Sequence, residues 1–389
     1  AKHWKRRLIS MDLEMIILNK CILSLKEDFG NPTPVFLRHG TYMRPDKNGV
    51  VSFKRSETVL VSCPGIKRHI VLGKQPQSYA TLEAHCIVNT TFRLDRWIGQ
   101  FKNVTCNSQP WFTTEDTGTK CHENSRLYKV GYKVNNVLRP LYEACFNSAL
   151  LQTNYVKHQL SPTSSLMQPG LSRPQFTEGD LFEKVRMSQL YKFEHQQQRL
   201  NDILGAGMSF LTRGHLTARA DFTLGAEQRA SFHYVNSAPQ WMRGNAGDWG
   251  ALEDALRRRI YALGVNVTVF TGTHDVMTLP DARGEQQPIY LTTDANNNGL
   301  VPVPMYFYKL VYDPQARRAT AFISINSSFY NETMIQELSF CEDICEQNRK
   351  FSWLKWRQND GTYSFCCEYN DFVDTVDSLP QLDVVGIFN

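Results

Sequence analysis

The chain has 389 residues, of which 42% are hydrophobic and 12% aromatic. At about 150 residues per domain this length corresponds to two or three domains, and the apolar content excludes a disordered chain. Lys and Arg total 43 against 38 Asp and Glu, a formal net charge of +5 that permits a polyanionic partner without requiring one. No stretch of about 18 consecutive apolar residues occurs, which excludes a transmembrane helix, and we expect no membrane partner.

Residues 1–20 are expected to form a basic N-terminal arm, with cations at Lys2, Lys5, Arg6 and Arg7. A secretory signal would continue into an uninterrupted apolar stretch and a small-residue cleavage site, and neither follows the arm. We therefore expect a mature chain from which any signal has already been removed.

The ten cysteines fall into a group of six near the N-terminus and a group of four near the C-terminus. Each group is even in number, which predicts that disulfides close within each group. Zinc is the alternative for the second group, because its Cys-x-x-x-Cys pair could share an ion, although the adjacent Cys-Cys pair fits four ligands around one ion poorly. The cysteines are Cys21, Cys63, Cys86, Cys106, Cys121, Cys145, Cys341, Cys345, Cys366 and Cys367.

Acceptor sequences for N-glycosylation are a second sign of a secretory route. Asn-x-Ser/Thr triplets are used only in chains that take this route, and disulfides likewise persist in extracellular proteins. We therefore expect a secreted, extracellular glycoprotein. The five acceptor asparagines are Asn89, Asn103, Asn266, Asn326 and Asn331.

Residues 21–140 are expected to form a β-rich accessory domain stapled by its own cysteines. Short apolar or alternating segments are separated there by turn residues, which is typical of strands. The segment Asp46-Lys47-Asn48-Gly49 predicts a hairpin turn. The predicted strands are residues 34–38, 50–53, 57–62, 69–72 and 128–134.

The remainder of the chain is expected to mix helices and strands. Residues 160–180 have the Ser, Pro and Gly composition of a linker. Helices are predicted at residues 181–204 and 248–263, the second with Asp248 as N-cap and Gly264 as its stop. Without βαβ periodicity or a glycine-rich phosphate loop, nucleotide-binding α/β folds have no support. Strands are predicted at residues 208–211, 231–235, 265–272, 289–293, 306–312 and 318–325.

The residues that could carry chemistry are concentrated between Thr212 and Arg257. Thr212-Arg213-Gly214-His215 follows an apolar strand, and Asn236 and Gln240 come later in an Asn-Ser-Ala-Pro-Gln segment. Four residues then recur at steps of four, which drift by about 40° per step and so share one helix face. These four are Asn245, Trp249, Glu253 and Arg257.

An imidazole beside an amide, a carboxylate and a guanidinium is suited to metal-assisted phosphodiester hydrolysis. A neutral His accepts a proton from water, a divalent cation stabilises charge on the phosphate and the leaving oxygen, and Arg neutralises a non-bridging oxygen. Because Mg²⁺ keeps several waters, one protein oxygen such as that of Asn245 is enough to hold it.

The ordered motif, over roughly residues 155–369, resembles the DNA/RNA non-specific endonuclease family, whose site is a ββα-metal (His-Me) finger. Tyr155-Val156-Lys157-His158, Ser172-Arg173-Pro174-Gln175-Phe176 and the C-terminal cysteine pattern resemble secreted arthropod nucleases that attack double-stranded nucleic acids. The resemblance implies an α+β nuclease domain of residues 141–389, with a mixed or antiparallel sheet and helices, preceded by the β-rich domain. It also makes residues 161–174 a loop inside the nuclease domain.

By this resemblance His215 is the general base, Asn245 binds the metal (Mg²⁺, or Mn²⁺), and Glu253 holds metal-bound water. Arg257 and Arg173 would contact the scissile phosphate. Arg213 stands with these catalytic residues and shapes the site together with Asn236, Gln240 and Trp249. Many members have Asp before Arg-Gly-His where this chain has Thr212, so no carboxylate neighbour is expected to orient His215.

Taken singly, each of these residues also has a structural interpretation: His215 as a surface or core histidine, Glu253 and Arg257 as a solvated helix pair, and Trp249 as core. The implied function is a secreted endonuclease that cuts DNA, RNA or both with little base preference, because it binds backbone phosphates. One alternative is a nuclease-derived protein that binds nucleic acid but cleaves poorly. Another is that the first 140 residues form an adhesion or inhibitor module with a protein partner.

Overall fold

The computed structural model describes residues 20–204, 210–242, 245–327, 330–357 and 363–389. The predicted basic arm and the first residues of the strand predicted at 208–211 lie outside these ranges. Within them the fold is α+β, with far more strand than helix. No helix of the described part is both long and apolar enough to cross a membrane.

Residues 20–106 form small antiparallel sheets, the largest with the order β10-β9-β8-β5-β2-β3. Its interior is aromatic, with Phe92 against Phe101 at 4.7 Å and against Phe53 at 5.4 Å between ring centroids. The strands are β1 (Lys20–Ser24), β2 (Val35–Arg38), β3 (Thr41–Tyr42), β4 (Val50–Lys54), β5 (Thr58–Ser62), β6 (Ile70–Leu72), β7 (Gln75–Pro76), β8 (Thr81–Val88), β9 (Thr91–Leu94), β10 (Trp97–Gln100) and β11 (Val104–Cys106).

The strands predicted in this region are present, but the turn at Asp46 does not make a hairpin. Its carboxylate accepts hydrogen bonds from the amides of Asn48 and Val50, and Gly49 has a positive φ, so the turn is tight. The flanking strands nevertheless pair elsewhere, β3 with β2 and β4 with β1.

A sheet of nine strands organises the rest of the described chain, in the order β12-β13-β14-β15-β18-β23-β24-β25, with β26 parallel to β24. Its other contacts are antiparallel. The expected division at residue 140 lies inside β14 of this sheet. The strands are β12 (Thr113–His122), β13 (Ser125–Val134), β14 (Val137–Asn147), β15 (Gln152–Leu160), β18 (Val267–Val276), β23 (Pro304–Asp313), β24 (Arg318–Ile325), β25 (Tyr363–Cys367) and β26 (Gly386–Ile387).

Both faces of the central strand β23 are buried. Phe307 and Val311 pack into the core on one face, whereas Tyr308 and Leu310 pack into the core on the other. Because successive side chains of a strand alternate, Lys309 faces the same side as Phe307. A lysine is thus placed inside the larger core.

Six helices are seen in the described ranges, and they correct several predictions. The segment predicted as one helix from residue 181 begins only at Met187 and is interrupted before Phe193. Residues 231–235, predicted as a strand, lead into a short 3₁₀ turn, Tyr234–Asn236. The helices are α1 (Met187–Leu190), α2 (Phe193–Leu204), α3 (Gly225–Ala230), α4 (Gly250–Leu263), α5 (Glu332–Leu338) and α6 (Tyr369–Thr375).

Helix α4 ends as predicted at Gly264, which is left-handed with φ of 68°. Its beginning differs from the prediction, because Asp248 is not the N-cap. The Asp248 carboxylate instead accepts hydrogen bonds from the amide of Arg357, at 2.8 Å, and the hydroxyl of Ser364, at 2.7 Å. Asp248 thus forms hydrogen bonds with distant parts of the chain and does not cap the N-terminus of α4.

All ten cysteines are paired, and no disulfide joins the two groups, as predicted. Zinc at the second group is excluded, since its cysteines are used in Cys341–Cys367 and Cys345–Cys366. The first group forms Cys21–Cys86, Cys63–Cys106 and Cys121–Cys145.

The segment with linker composition is packed into the fold. The amide of Gln168 donates to the carbonyl of Thr223, and its side-chain oxygen accepts from the amide of Gly225. The same side chain bonds Thr33 of the N-terminal region. These residues form an internal loop, as the family resemblance implies. The linker predicted from their composition is wrong.

Candidate active site

The site is built on a strand–strand–helix unit. Strand β16 (Leu211–His215) pairs antiparallel with β17 (Ser237–Trp241), and α4 follows. Between the strands, Gly214 faces Gln240, and a Cβ at position 214 would lie 2.5 Å from the Gln240 side-chain oxygen and 2.8 Å from its Cβ. The glycine of Arg-Gly-His is therefore required for Gln240 to pack across the strand pair.

His215 ends β16 between two aromatic rings. The centroids of Phe176 and Phe232 each lie 4.8 Å from the imidazole centroid. Burial, followed by the positive charges of Arg173 and other nearby cations, lowers the pKa of His215 to about 3. Its Nε2 is buried and has no hydrogen-bond partner among the described residues. The imidazole is therefore neutral near pH 7, as a proton acceptor must be.

Asn236 braces the chain that follows His215. Its amide group donates to the carbonyls of Thr217, at 3.0 Å, and Ser231, at 2.9 Å, while its oxygen accepts from the amide of Thr217. The side chain is fully buried. Asn236 thus shapes the site by fixing the turn after His215, and every one of its bonds is to protein backbone.

Helix α4 brings Trp249, Glu253 and Arg257 to one face, as their spacing predicts. Trp249 is buried against Phe307 at 5.5 Å between ring centroids. The Nζ of Lys309 lies 4.9 Å from the Trp249 ring and 4.0 Å from Oε1 of Glu253. Sequence reasoning missed Lys309, although a lone lysine in an apolar strand was a usable signal.

Glu253 is a partly desolvated carboxyl group with little compensation. Burial raises its pKa to about 7, and Asp221 adds to the rise, while Lys309 and Arg257 oppose it. Its side chain remains 17% exposed, and its oxygens accept no hydrogen bond from the described residues. Free carboxylate lone pairs that need positive charge match the oxygen chemistry of a hydrated divalent cation.

Arg257 is anchored by two carboxylates. Its guanidinium bonds Asp221 at 2.9 Å and also the exposed Asp254. The second oxygen of Asp221 lies 2.9 Å from Nε2 of His158. Burial alone would raise the pKa of Asp221, but the bond with His158 and the charge of Arg257 hold it well below its usual range. Asp221 is a permanent anion that sequence reasoning did not single out.

Arg173, Arg213, His215 and Glu253 line one cleft of about 350 Å³. An adjoining cleft of about 460 Å³ shares Arg173 and Arg213. Among the described residues, neither arginine forms an ion pair with a carboxylate. Instead the guanidinium of Arg173 lies 5.3 Å from the Phe232 ring and that of Arg213 lies 5.7 Å from Phe176. The cleft therefore offers unneutralised cations beside a proton acceptor.

A family model for DNA/RNA non-specific endonucleases matches residues 123–372, more than half of the chain. The chain belongs to the DNA/RNA non-specific endonuclease family. It is 28% identical to a salivary endonuclease of Lutzomyia longipalpis, over 91% of this chain and 82% of that protein. It is 22% identical to salivary protein Tsal2A of Glossina morsitans morsitans, over 94% of this chain and 93% of that protein.

Among solved structures, the EndoG/EndoGI complex is similar over 63% of this chain and 87% of that one, with a TM-score of 0.39 and 18% identity. Membership of the endonuclease family makes this protein a nuclease hydrolase that acts on nucleic acid, in a family that depends on divalent metals. The family and the fold class predicted from the sequence are confirmed.

In this endonuclease the predicted site residues do not all reach the cleft. Arg257 is not among the described side chains that line it, and Gln240 is buried beneath Gly214 with its side-chain oxygen unpartnered among the described residues. Asn245 begins the π-helical turn Asn245–Trp249 that leads into α4, and its side chain lies outside the described part. Arg219 also lines the cleft, and the sequence did not identify it as a site residue.

Proposed function

We propose that this endonuclease is a secreted, metal-dependent enzyme that hydrolyses phosphodiester bonds of DNA, RNA or both with little sequence preference. The observation that carries the proposal is a half-buried imidazole of low pKa in the same cleft as Glu253 and as Arg173 and Arg213, which form no ion pair with the described residues. Each part has a separate role in the reaction: strand β16 supplies His215 and Arg213, α4 supplies Glu253, and the internal loop supplies Arg173.

His215 acts as the general base. It takes a proton from a water molecule, the water oxygen forms a new bond to phosphorus, and one P–O bond of the backbone breaks, its leaving oxygen taking up a proton from solvent water. The protonated imidazole, surrounded by Phe176, Phe232 and nearby cations, then returns its proton to solvent. Asn236 keeps the ring in place by fixing the turn that follows it.

Asn245 is the proposed protein ligand of the cation and Glu253 the residue that holds metal-bound water, with Mg²⁺ as the proposed ion and Mn²⁺ as the alternative, because Mg²⁺ keeps several waters and needs few protein oxygens. When bound, the cation stabilises negative charge on the phosphate and on the leaving oxygen. The supporting observation is the Glu253 carboxyl group, whose raised pKa shows a need for positive charge and whose oxygens have no donor among the described residues.

Arg173 and Arg213 are proposed to bind phosphate oxygens in the cleft. Guanidinium groups bind phosphate in a sequence-independent way, which explains low base preference. Arg257 approaches the same phosphate only when its contact with Asp254 opens. That contact is exposed and therefore weak, whereas Asp221 keeps the other edge of the guanidinium anchored.

Secretion is proposed on three grounds. Five disulfides close within the described chain, which suits an oxidising compartment. The relatives named above are salivary proteins. Four of the five glycosylation sequences also have exposed asparagines.

The test is digestion of plasmid DNA and duplex RNA with Mg²⁺ and with chelator, by wild type, His215→Ala and the control His274→Ala. His274 packs on Tyr306 away from the cleft. We expect cleavage that requires metal, is lost in His215→Ala and is retained in His274→Ala. If wild type and His215→Ala bind both substrates equally and neither cuts, the protein is instead a nucleic-acid-binding relative of nucleases.

A further inference from the structure

A row of cations continues from the active-site cleft toward the N-terminal region. Arg219 lines the active-site cleft and also a second pocket, which Arg229 shares. Arg229 in turn lines a third pocket, of about 140 Å³, together with Trp111. These shared residues place the three depressions side by side, in a row that is called the path below.

Trp111 stands at the far end of this path with 57% of its surface exposed. An exposed tryptophan is costly in water and is a preferred surface for stacking against another ring. The pocket beside it is lined by Phe112 and His233 as well as by Arg229, and Asp180 is the acidic side chain in its lining. This end therefore combines aromatic rings with one cation, Arg229, and one acid, Asp180.

The N-terminal region holds Trp111 rigidly. The Trp111 amide donates to the Pro64 carbonyl at 2.8 Å, and Nε of Arg68 donates to the Gln109 carbonyl at 3.0 Å. A Cβ at Gly65 would lie 2.8 Å from the Trp111 Cβ, so the loop and the tryptophan are in close contact. The disulfide Cys63–Cys106 fixes the base of this arrangement.

The charges along the path are not neutralised. Among the described residues, none of the four cations forms an ion pair with a carboxylate, although nine Lys or Arg ion pairs exist elsewhere in the same ranges. Arg68 and Arg219 use part of their guanidinium groups on neutral protein oxygens. The four cations are Lys67, Arg68, Arg219 and Arg229.

We propose that Trp111, with Arg229 and the loop at residues 64–68, forms a second nucleic-acid subsite that binds an unpaired segment flanking the scissile phosphate. The backbone phosphates of the bound segment lie along Arg219 and Arg229, and one of its bases stacks on Trp111. Trp111 and the loop precede residues 123–372, where the family model matches, so this subsite is an addition to the shared nuclease domain. The inference rests on the proposed function, since the flank belongs to the substrate being cut.

The test compares a dinucleotide with a single-stranded DNA of about 16 nucleotides, a length at the upper end of one binding site. Trp111→Ala is measured beside Tyr79→Ala, a 52% exposed aromatic of the same region that does not line the three pockets. We expect Trp111→Ala to raise KM for the long DNA about tenfold, as loss of one stacked base does, with kcat and dinucleotide cleavage unchanged.

Arg229→Ala tests the electrostatic contribution to binding. Binding of the DNA is measured with chelator present, so that the result does not depend on cleavage. We expect weaker binding of the long DNA and a salt dependence reduced by about one counterion. Unchanged binding in both variants overturns the subsite, and so does an equal loss on the dinucleotide. If wild type cuts nothing yet Trp111→Ala still weakens binding, the proposed function fails and the subsite stands.

Discussion

Replacing Lys309 with Met should impair catalysis through Glu253. Lys309 Nζ is the cation beside the Glu253 carboxylate, at 4.0 Å, and it also donates to the Leu216 carbonyl at 2.9 Å. Met retains the length and apolar stem of the side chain but removes the charge and the bonds that Nζ donates to the Leu216 carbonyl and, at 3.0 Å, to the Thr271 hydroxyl. The substitution therefore separates the electrostatic role of this residue from its packing role.

The size of the expected effect follows from the distance between the Lys309 and Glu253 charges. Two unit charges 4.0 Å apart at an effective dielectric constant of about 20 interact by about 4 kcal/mol. One pKa unit corresponds to about 1.4 kcal/mol, so even half of this interaction would raise the Glu253 pKa by more than one unit. Since that pKa is already about 7, most of the carboxyl groups would then be protonated at pH 7.

We expect Lys309→Met to cleave plasmid DNA at least tenfold more slowly at pH 7 and limiting Mg²⁺, with recovery toward pH 9. Lys157→Met is the matched control, since Lys157 pairs with Phe270 on the opposite face of the same sheet. The unpaired Leu216 carbonyl should also cost about 1–3 kcal/mol of stability. A Lys309→Met enzyme with the wild-type rate and pH profile would refute this reasoning.

Two further predictions concern the folded chain. The pKa values of half-buried His215 and buried His233 are both lowered by desolvation to about 3 from the ordinary 6.5. The unfolded chain therefore binds more protons between these values, and the free energy of unfolding should fall as pH drops from 6.5 toward 3. Urea unfolding at pH 7 and pH 4 should show that His215→Ala loses less free energy of unfolding between these pH values than wild type does. Equal losses would contradict the lowered pKa of His215. Mass spectrometry of the secreted protein should find no glycan at Asn326, whose amide group is buried and donates to two carbonyls; a glycan there would contradict the described packing, and occupancy is expected at the exposed Asn89, Asn103, Asn266 and Asn331.

The part of the site that lies on one continuous segment was predictable from the sequence. Gly214 must be small because Gln240 packs on it, and Trp249 and Glu253 share a face because a helix repeats every 3.6 residues. These are local constraints, and they leave a regular spacing in the chain.

The rest depends on contacts between distant segments. Asp221 reaches Arg257 and His158 only because α4 and β15 come together in the fold, and nothing near Asp221 in the sequence signals this. Asp248 has the residue type of an N-cap, yet Ser364 uses its carboxylate. Tertiary hydrogen bonds replaced the local preference in each case.

The order of strands in the nine-stranded sheet likewise could not be predicted from local sequence patterns. Strand β14 crosses the expected boundary at residue 140, and its burial does not alternate regularly, so the pattern alone cannot tell which sheet it joins. Its pairing with β15, through Ala144 opposite Val156, is what attaches the middle of the chain to the nuclease core. Strand order is set by packing between segments, and strand patterns record only which residues are buried.

The most direct test of the proposed chemistry is chemical rescue of the missing base. Single-turnover cleavage of plasmid DNA by His215→Gly, with Mg²⁺ present, is measured with and without added imidazole, beside His274→Gly. We predict that imidazole restores cleavage only to His215→Gly, and more strongly as pH rises and the added base becomes neutral. Wild-type cleavage by His215→Gly without imidazole, or no rescue although the variant still binds DNA, would contradict the assignment of His215 as the general base.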